Sequence, residues 1–346
     1  VQGVDRHAYE ALAKDLFSHW SLSCDGETRH NAALYMASCY ALTNSSMHSK
    51  HSLVDILVLI PSDNPWVGAT MSTLVRGMDR ETLKATLLKL RGSMRSNSLS
   101  GLRLFRALLG AIEGEEQIET VSSFAEGFLH KCLEAFHCCG EPKGYSKIVV
   151  NATLLIIELI QNKQVISVKE RLLALILAQT STVLESWKKR QGGCTSAVSC
   201  SSEIYSSCFT LFATLLQRFP KQLYTCVPSV ITLLHSFLRR CLFEELSEVA
   251  IRDEGQKFTR LCELLLPHKE VYKKHVICLL LEFVNGLERH IGLVRRETLL
   301  PSVYYLLDML SKYEMQQLNI LMDTTGRTLF RSVHQSYQKL HAYKGQ

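Results

Sequence analysis

The chain has 346 residues, of which 47% are hydrophobic and 21% are charged, and its formal net charge is +6. This length and apolar content can bury one or two hydrophobic cores, which excludes a disordered or collagen-like protein. No stretch reaches ~20 consecutive apolar residues, and the chain does not start with a basic segment followed by an apolar core. The composition therefore predicts a globular protein and argues against membrane spanning and secretion.

Helical periods begin near the first residue and are broken by polar stretches and by proline. We predict helices over 4–17, 31–42 and 53–60. The last of these should end at Pro61 and Pro65, because proline cannot continue the hydrogen-bond ladder.

A capping signal opens the next helix. Asp79 precedes a helix that we predict to extend through Arg91, and Glu81 lies in the first turn, where a carboxylate favours the positive end of the helix dipole. The helix after it should place four apolar side chains on one face, namely Leu102, Phe105, Leu109 and Ile112.

Longer helices fill the middle of the chain. They are predicted over 120–136, 147–160, 168–187, 203–219, 222–240 and 244–266. Pro220 and Pro267 stand at two of the ends. Residues 191–202 are rich in Gly, Ser and Thr, which is typical of a loop. We therefore divide the chain into a helical repeat region at 1–190, a loop at 191–202 and a carboxyl-terminal helical region at 203–346.

Three helix-like segments end the chain. The first extends from Val271 to about Glu288, and its run from Val276 to Leu281 is apolar on every side, as in a buried central helix. The second, from Pro301 to Tyr313, should start at its proline, whose missing N–H costs nothing at the first helical position. Its predicted buried stripe is Val303, Leu306, Leu307 and Leu310.

The third segment follows Thr324 and carries two different faces. Its apolar face contains Phe330, Val333, Tyr337 and Leu340. Its basic face contains residues that recur at helical spacing, from which we predict a contact stripe with the residues that end the chain: Arg327, Arg331, Lys339, Tyr343 and Lys344. Phosphate or an acidic helix would suit this stripe equally well.

No run of alternating polar and apolar residues is bounded by hairpin turns, so a sheet is not indicated. The spacing of ~40 residues per helix pair is typical of stacked helical repeats. We predict an all-α protein with an irregular HEAT- or armadillo-like α-solenoid of stacked helix pairs, and a compact all-helical bundle is the alternative.

Three terminal stretches carry a family resemblance: HKEVYKKHV at 268–276, LLPSVYYLLD at 299–308 and GRTLFRSVHQSYQKLHAYKG at 326–345. Together they resemble the carboxyl-terminal domain of the Urb/Npa group of nucleolar ribosome-biogenesis proteins. Because the chain starts at Val1 and ends in a segment typical of that group, we expect it to be the carboxyl-terminal piece of a longer protein.

The resemblance implies a non-enzymatic nucleolar scaffold in early assembly of the large (60S) ribosomal subunit and in pre-rRNA processing. It implies other nucleolar assembly factors as partners, including a larger helical relative and a DEAD-box RNA helicase, and it leaves direct contact with pre-rRNA open. The alternative is a generic HEAT-like protein-interaction adaptor in transport or signalling.

The sequence contains no phosphate-binding loop, nucleophile elbow or zinc-binding helix motif. We therefore predict no catalytic residue, cofactor, metal or small-molecule substrate. One group has enough potential metal ligands to be weighed: His130, Cys132, His137, Cys138 and Cys139. Its spacing is not that of a structural zinc site, which takes its ligands in pairs from tight turns. The twelve cysteines lie mostly singly in apolar runs, where a free thiol acts as a small hydrophobe.

Positive charge is concentrated between residues 76 and 106. This segment holds eight basic and two acidic residues, a net charge of +6 that equals the formal charge of the whole chain. We predict a basic patch that contacts RNA or a ribonucleoprotein, with an acidic protein or plain solvent as the alternatives. Its candidate residues are Arg76, Arg80, Lys84, Arg91, Arg95, Arg103 and Arg106.

Overall fold

The computed structural model describes residues 75, 78–94, 99–137, 142–162, 166–190 and 197–343. The predicted helices at 4–17, 31–42 and 53–60 lie outside these residues. The described residues form helices and short connections without a β-strand, so the predicted all-α class is confirmed.

Thirteen α-helices, α1 to α13, follow one another in the described residues. Short 3-10 turns at Gln222–Cys226 and Leu266–His268 precede α7 and α9. The helices are Arg80–Met94, Leu99–Leu109, Glu115–Ala135, Pro142–Gln161, Glu170–Arg190, Ala197–Arg218, Val227–Phe243, Glu248–Leu265, Lys269–Tyr272, Ile277–Glu288, Leu293–Asp308, Lys312–Leu321 and Thr324–Tyr343.

The chain forms two compact units. The first combines residues 1–140 with 147–167, and the second combines 141–146 with 168–346. The predicted loop at 191–202 falls inside the second unit. The prediction is wrong for residues 197–202, because α6 already begins at Ala197. The helix therefore begins six residues before the predicted start at 203.

In the first unit, α1 packs against both α2 and α3. The start of α1 follows the prediction, since the side chain of Asp79 accepts a hydrogen bond of 2.7 Å from the backbone N–H of Thr82. This bond lowers the pKa of Asp79. Between α2 and α3 the rings of Phe105 and Phe128 stack with their centroids 3.6 Å apart. The predicted apolar face of α2 is therefore buried at Leu102 and Phe105.

In the second unit the helices lie in two rows. One row contains α5, α7, α10 and α13, each packed against the next member, and the other contains α6, α8 and α11. Helices that alternate between two rows along the chain form the stacked pairs of an α-solenoid. The stacking of helix pairs predicted from the sequence is confirmed in this unit.

Two stretches are long and apolar enough to cross a membrane by length and composition alone, Gly144–Gln161 and Gln222–Phe243. Within the structure, 61% of the first and 67% of the second is buried. Core helices of a folded protein pass the same test, and the burial shows that these apolar side chains are used for packing between helices.

The first terminal segment is divided, which corrects the prediction of one helix from Val271. A short helix, α9, ends at Tyr272, four residues of turn follow, and α10 begins at Ile277. In this turn His275 N–H donates to Tyr272 O at 2.8 Å, an i to i−3 bond that tightens the chain. The predicted end at Glu288 agrees with α10.

The second terminal segment begins earlier than predicted, because α11 starts at Leu293 and contains Pro301 in its interior. Tertiary contacts stabilise the part before the proline. The guanidinium of Arg295 donates to the backbone carbonyls of Cys241, at 2.6 Å, and of Glu244. These contacts offset the loss of stability that comes from the backbone hydrogen bond proline cannot make.

The third terminal segment forms α13, and its apolar face is shorter than predicted. Phe330 and Val333 are buried, but Tyr337 is only half-buried and Leu340 is 48% exposed. The hydroxyl of Tyr337 donates to Asp308 Oδ1 at 2.6 Å, and burial together with this carboxylate raises the tyrosine pKa. The helix is thus anchored by its first half.

Two helices approach each other closely at Gly255 of α8. A Cβ at this position would overlap the methyl carbon of Thr298 in α11, while it would lie 3.4 Å from Thr298 Cβ. The side chain of Thr298 also donates a hydrogen bond of 2.7 Å to Val294 O, which holds its rotamer. The hydrogen side chain of glycine is therefore required by space at this crossing.

We predict that Gly255→Ala lowers the free energy of unfolding by about 1–3 kcal/mol through overpacking. Thr298→Ser removes the obstructing methyl group and keeps the hydroxyl, so the double variant should recover most of the loss. Chemical denaturation of the four proteins of this cycle gives the coupling energy. An equal cost of Gly255→Ala with and without the Thr298→Ser substitution would contradict the close approach.

Candidate interaction surfaces

The predicted basic patch is only partly displayed to solvent. Arg76 and Arg95 lie outside the described residues. Arg80 is exposed at the start of α1. Lys84, one turn later, pairs with Glu81 on the same helix, with its ammonium 2.8 Å from the carboxylate. An exposed pair of this kind contributes little to stability, so both cations remain accessible to a partner.

Two other members of the patch tie α2 to α4. Arg103 Nε donates to Asn151 Oδ1 at 3.3 Å, and Arg106 forms an ion pair with Glu158. Both side chains are half-buried, although they were predicted only as members of the basic patch. The sequence analysis could not identify the neighbouring helix, whose polar residues receive them.

Arg91 is half-buried against α3. A Cβ at Gly127 would lie 3.1 Å from Arg91 Cζ, so the guanidinium rests on the α3 backbone where glycine leaves room. Its Nε is buried and has no hydrogen-bond partner among the described residues. Arg91 therefore serves packing in the first unit. Among the described patch residues Arg80 is exposed, whereas Lys84, Arg103 and Arg106 are half-buried.

The predicted carboxyl-terminal stripe borders a depression of about 510 Å³ between α12 and α13. Arg327 and Arg331 both line it, and Arg327 Nε donates to Asn319 O of α12 at 2.9 Å. Lys339 is exposed farther along α13. Tyr343 is the last residue of this helix, and Lys344 lies outside the described residues. The structure thus brings two of the five stripe residues to one concave surface.

A second depression, of about 640 Å³, adjoins the first. We call it the α10 groove, because α10 forms its floor and α7 and α12 form its walls. Ile320 of α12 lines both depressions. The residues that line the α10 groove are Pro228, Ile231, Lys274, His275, Ile277, Cys278, Leu281, Gln317, Ile320 and Leu321. Sequence reasoning did not find this groove, although the unexplained apolar residues of 317–321 were a signal.

A buried network of charges holds the helices behind these surfaces. Arg240 of α7 is 4% exposed, and its Nε and Nη2 each donate to a different oxygen of Glu254 of α8 at 2.8 Å. Nη1 donates to Glu244 at 2.8 Å, and Nη2 also donates to Ser201 of α6 at 2.9 Å. Burial alone would lower the pKa of Arg240, but Glu254 and Glu244 outweigh it and raise the pKa.

Tyr205 of α6 extends this network. Its hydroxyl donates to the backbone carbonyl of Glu254 at 3.0 Å, and Arg240 Cζ lies 5.3 Å from the centre of its ring. Arg295 of α11 joins at the end of α7, as described above. Four helices from both rows, α6, α7, α8 and α11, are therefore fixed relative to one another by one set of polar contacts.

The described residues of the group weighed as metal ligands do not form a metal site. His130 and His137 are exposed, Cys132 is fully buried, and Cys138 and Cys139 lie outside the described residues. In the described ranges no three His, Cys, Asp or Glu side chains are grouped to hold a metal ion. Burial raises the pKa of Cys208 and of Cys241 to about 12, so these thiols stay neutral and act as small apolar groups.

Removal of the Arg240 guanidinium should be strongly destabilising. We predict that Arg240→Ala lowers the free energy of unfolding by about 3–5 kcal/mol, because the Glu254 carboxylate, which is 0% exposed, would lose its charge partner. Replacing both residues, as Arg240→Met with Glu254→Met, should restore much of the stability, since no unpaired charge remains. Urea denaturation measures both variants.

Arg239→Ala is the matched control, because this arginine is the exposed neighbour of Arg240 in α7. Its removal should cost well under about 1 kcal/mol. A similar loss for Arg239→Ala and Arg240→Ala would show that the buried network does not hold the helices.

Comparison with known proteins identifies a family for most of the described chain. Residues 151–346 match the family model described as the Urb2/Npa2 family. The match begins far upstream of the terminal stretches that carry the resemblance and covers the second unit from before α5 to its end. No curated protein and no solved structure matches the chain.

Proposed function

Because the chain belongs to the Urb2/Npa2 family, which acts in ribosome biogenesis in the nucleus, we propose that it is a non-enzymatic scaffold of a nucleolar assembly factor. It acts in early assembly of the large (60S) ribosomal subunit and in pre-rRNA processing. Its mechanism is binding and placement: the stacked helices present surfaces on which other assembly factors are held together.

The family match over residues 151–346 is the observation that carries this proposal. The shape of the second unit supports it, since stacked helix pairs expose long surfaces and grooves that suit peptides and helices of partners. The buried network around Arg240 supports it as well. A scaffold must hold its binding surfaces in fixed positions, and this network fixes four helices at once.

The partners of the proposal are other nucleolar assembly factors. The resemblance of the chain to the Urb/Npa group adds two partners, a larger helical relative and a DEAD-box RNA helicase. Pre-rRNA is a further partner, and we expect exposed Arg80 and half-buried Lys84, one turn apart on α1, to meet its phosphates.

Affinity purification of the tagged protein from cell extract, with and without RNase, tests the proposal. We expect early large-subunit assembly factors to be recovered together with pre-rRNA, and the proteins to remain after RNase treatment because protein contacts hold them. Recovery of transport or signalling proteins without ribosomal RNA would contradict the scaffold and favour a generic helical adaptor.

A variant of the same experiment tests the basic patch. Arg80→Glu with Lys84→Glu should reduce the recovered pre-rRNA severalfold, and the fold reduction should be largest at low salt and shrink as salt rises, because binding through more phosphate contacts depends more steeply on salt. Arg91 is left unchanged because it packs against Gly127. Arg252→Glu, an exposed charge reversal in α8, is the control. Undiminished pre-rRNA at every salt concentration would reject the patch.

A further inference from the structure

Two neighbouring apolar side chains stand exposed on α12. Ile320 is 75% exposed and Leu321 is 62% exposed, although both are large aliphatic residues. Single exposed apolar residues are common on protein surfaces, but here they continue into a concave apolar surface. Burial of these two side chains against a partner would remove their apolar surface from water, which is favourable and which folding of the chain does not achieve.

The α10 groove beside them is shaped to take an apolar ridge. Ile277 and Leu281 lie one turn apart on α10 and form its floor. Ile231 of α7 closes one side, and Ile320 and Leu321 close the other. A helix that presents apolar residues at i, i+3, i+4 and i+7 offers a ridge of matching character.

The rim of this surface is positively charged. Lys274 lines the α10 groove, and Arg327 and Arg331 line the adjoining depression beyond Ile320. Among the described residues, neither lining includes an Asp or a Glu. Glu282 of α10 does not line the groove, and its carboxylate lies 3.4 Å from both His235 and Arg239 of α7. Acidic side chains on the partner would therefore meet opposite charge on both sides of Ile320.

We propose that the α10 groove binds an amphipathic helix of another protein, whose apolar stripe is flanked by Asp and Glu residues. The inference deepens the scaffold function and rests on it for the class of partner, an assembly factor. RNA would use the basic rim but offers no aliphatic ridge for Ile277, Leu281 and Ile320. The apolar floor therefore favours a protein helix.

A fluorescent synthetic peptide of about five turns provides the probe. It carries Leu at i, i+3, i+4 and i+7 spacing with Glu on both flanks, and two comparison peptides replace either the Glu by Lys or the Leu by Ser. The purified 346-residue chain should bind the Leu and Glu peptide at least about tenfold more tightly than either comparison peptide. Equal binding of the three, or no binding of any, would overturn the proposal.

Variants locate the binding on the chain. Ile320→Asp with Leu321→Asp should weaken binding of the acidic peptide at least about tenfold, because the two carboxylates replace the exposed apolar wall and repel the peptide. Val249→Asp is the matched control, since Val249 is 78% exposed at the start of α8 and lies outside the groove. Lys274→Glu with Arg331→Glu should weaken binding of the acidic peptide and strengthen binding of the Lys peptide. Equal effects of the Ile320 and Val249 variants would reject the site.

Cys278 reports occupancy of the groove directly. Its side chain is exposed and lines the groove, so an alkylating reagent should modify it in the free chain and react severalfold more slowly when the acidic peptide is bound. Mass spectrometry of the fragment that contains Cys278 separates this thiol from the others. Unchanged alkylation under saturating peptide would contradict binding in the groove.

Affinity purification of the tagged variants from cell extract separates this inference from the proposed function. If the groove is used, Ile320→Asp with Leu321→Asp should lose one assembly factor or a subset while the Val249→Asp control keeps all. Full recovery of factors by both variants would reject the groove and leave the scaffold in place. Loss of pre-rRNA alone would assign the surface to RNA, which also overturns the proposal.

Discussion

Arg240 and Glu254 carry opposite charges into an interior where either charge alone would be unstable. Their two parallel hydrogen bonds satisfy both groups, and Glu244, Ser201 and Tyr205 complete the set. Loss of one partner from such a pair costs about 3–5 kcal/mol, a large share of the roughly 5–15 kcal/mol that stabilises a typical protein. These bonds join α6, α7 and α8 directly to one another.

The surfaces of the second unit follow from that fixed arrangement. Arg295 binds the end of α7, which places the start of α11, and Gly255 allows α11 to approach α8 closely. α10 packs against α7 in the other row, and α12 packs against α10. The α10 groove exists because α7, α10 and α12 are held at these positions. Ile231 and Ile277, which line this groove, are themselves part of the buried core.

Much of the helical pattern could be predicted from the sequence because it depends on local chemistry. The cap at Asp79, the end of α10 at Glu288 and the stops before Pro220 and Pro267 were each visible in neighbouring residues. Pro301 was predicted to begin a helix but lies inside α11, because tertiary contacts of Arg295 stabilise helical residues before the proline.

The interaction surfaces could be predicted only in part. Arg327 and Arg331 were found because helical spacing alone places them on one face. The α10 groove was not found, since Ile231, Ile277 and Ile320 are far apart in sequence and become neighbours only when the rows are stacked. The pairing of Arg106 with Glu158 was hidden for the same reason, and it removes charge from a patch that looked continuous in the sequence.

Zero-length carbodiimide cross-linking in early large-subunit precursor particles tests most directly whether this chain is a scaffold that holds a partner at the α10 groove. The reagent joins lysine side chains to carboxylates in contact with them. Lys274 at the groove rim therefore identifies the bound protein without a candidate having to be selected beforehand. If the α10 groove binds an acidic helix of an assembly factor, we expect Lys274 to be joined to Asp or Glu residues of one such factor. Cross-links from Lys274 only within the chain, while other exposed lysines such as Lys221 are joined to assembly factors, would contradict it.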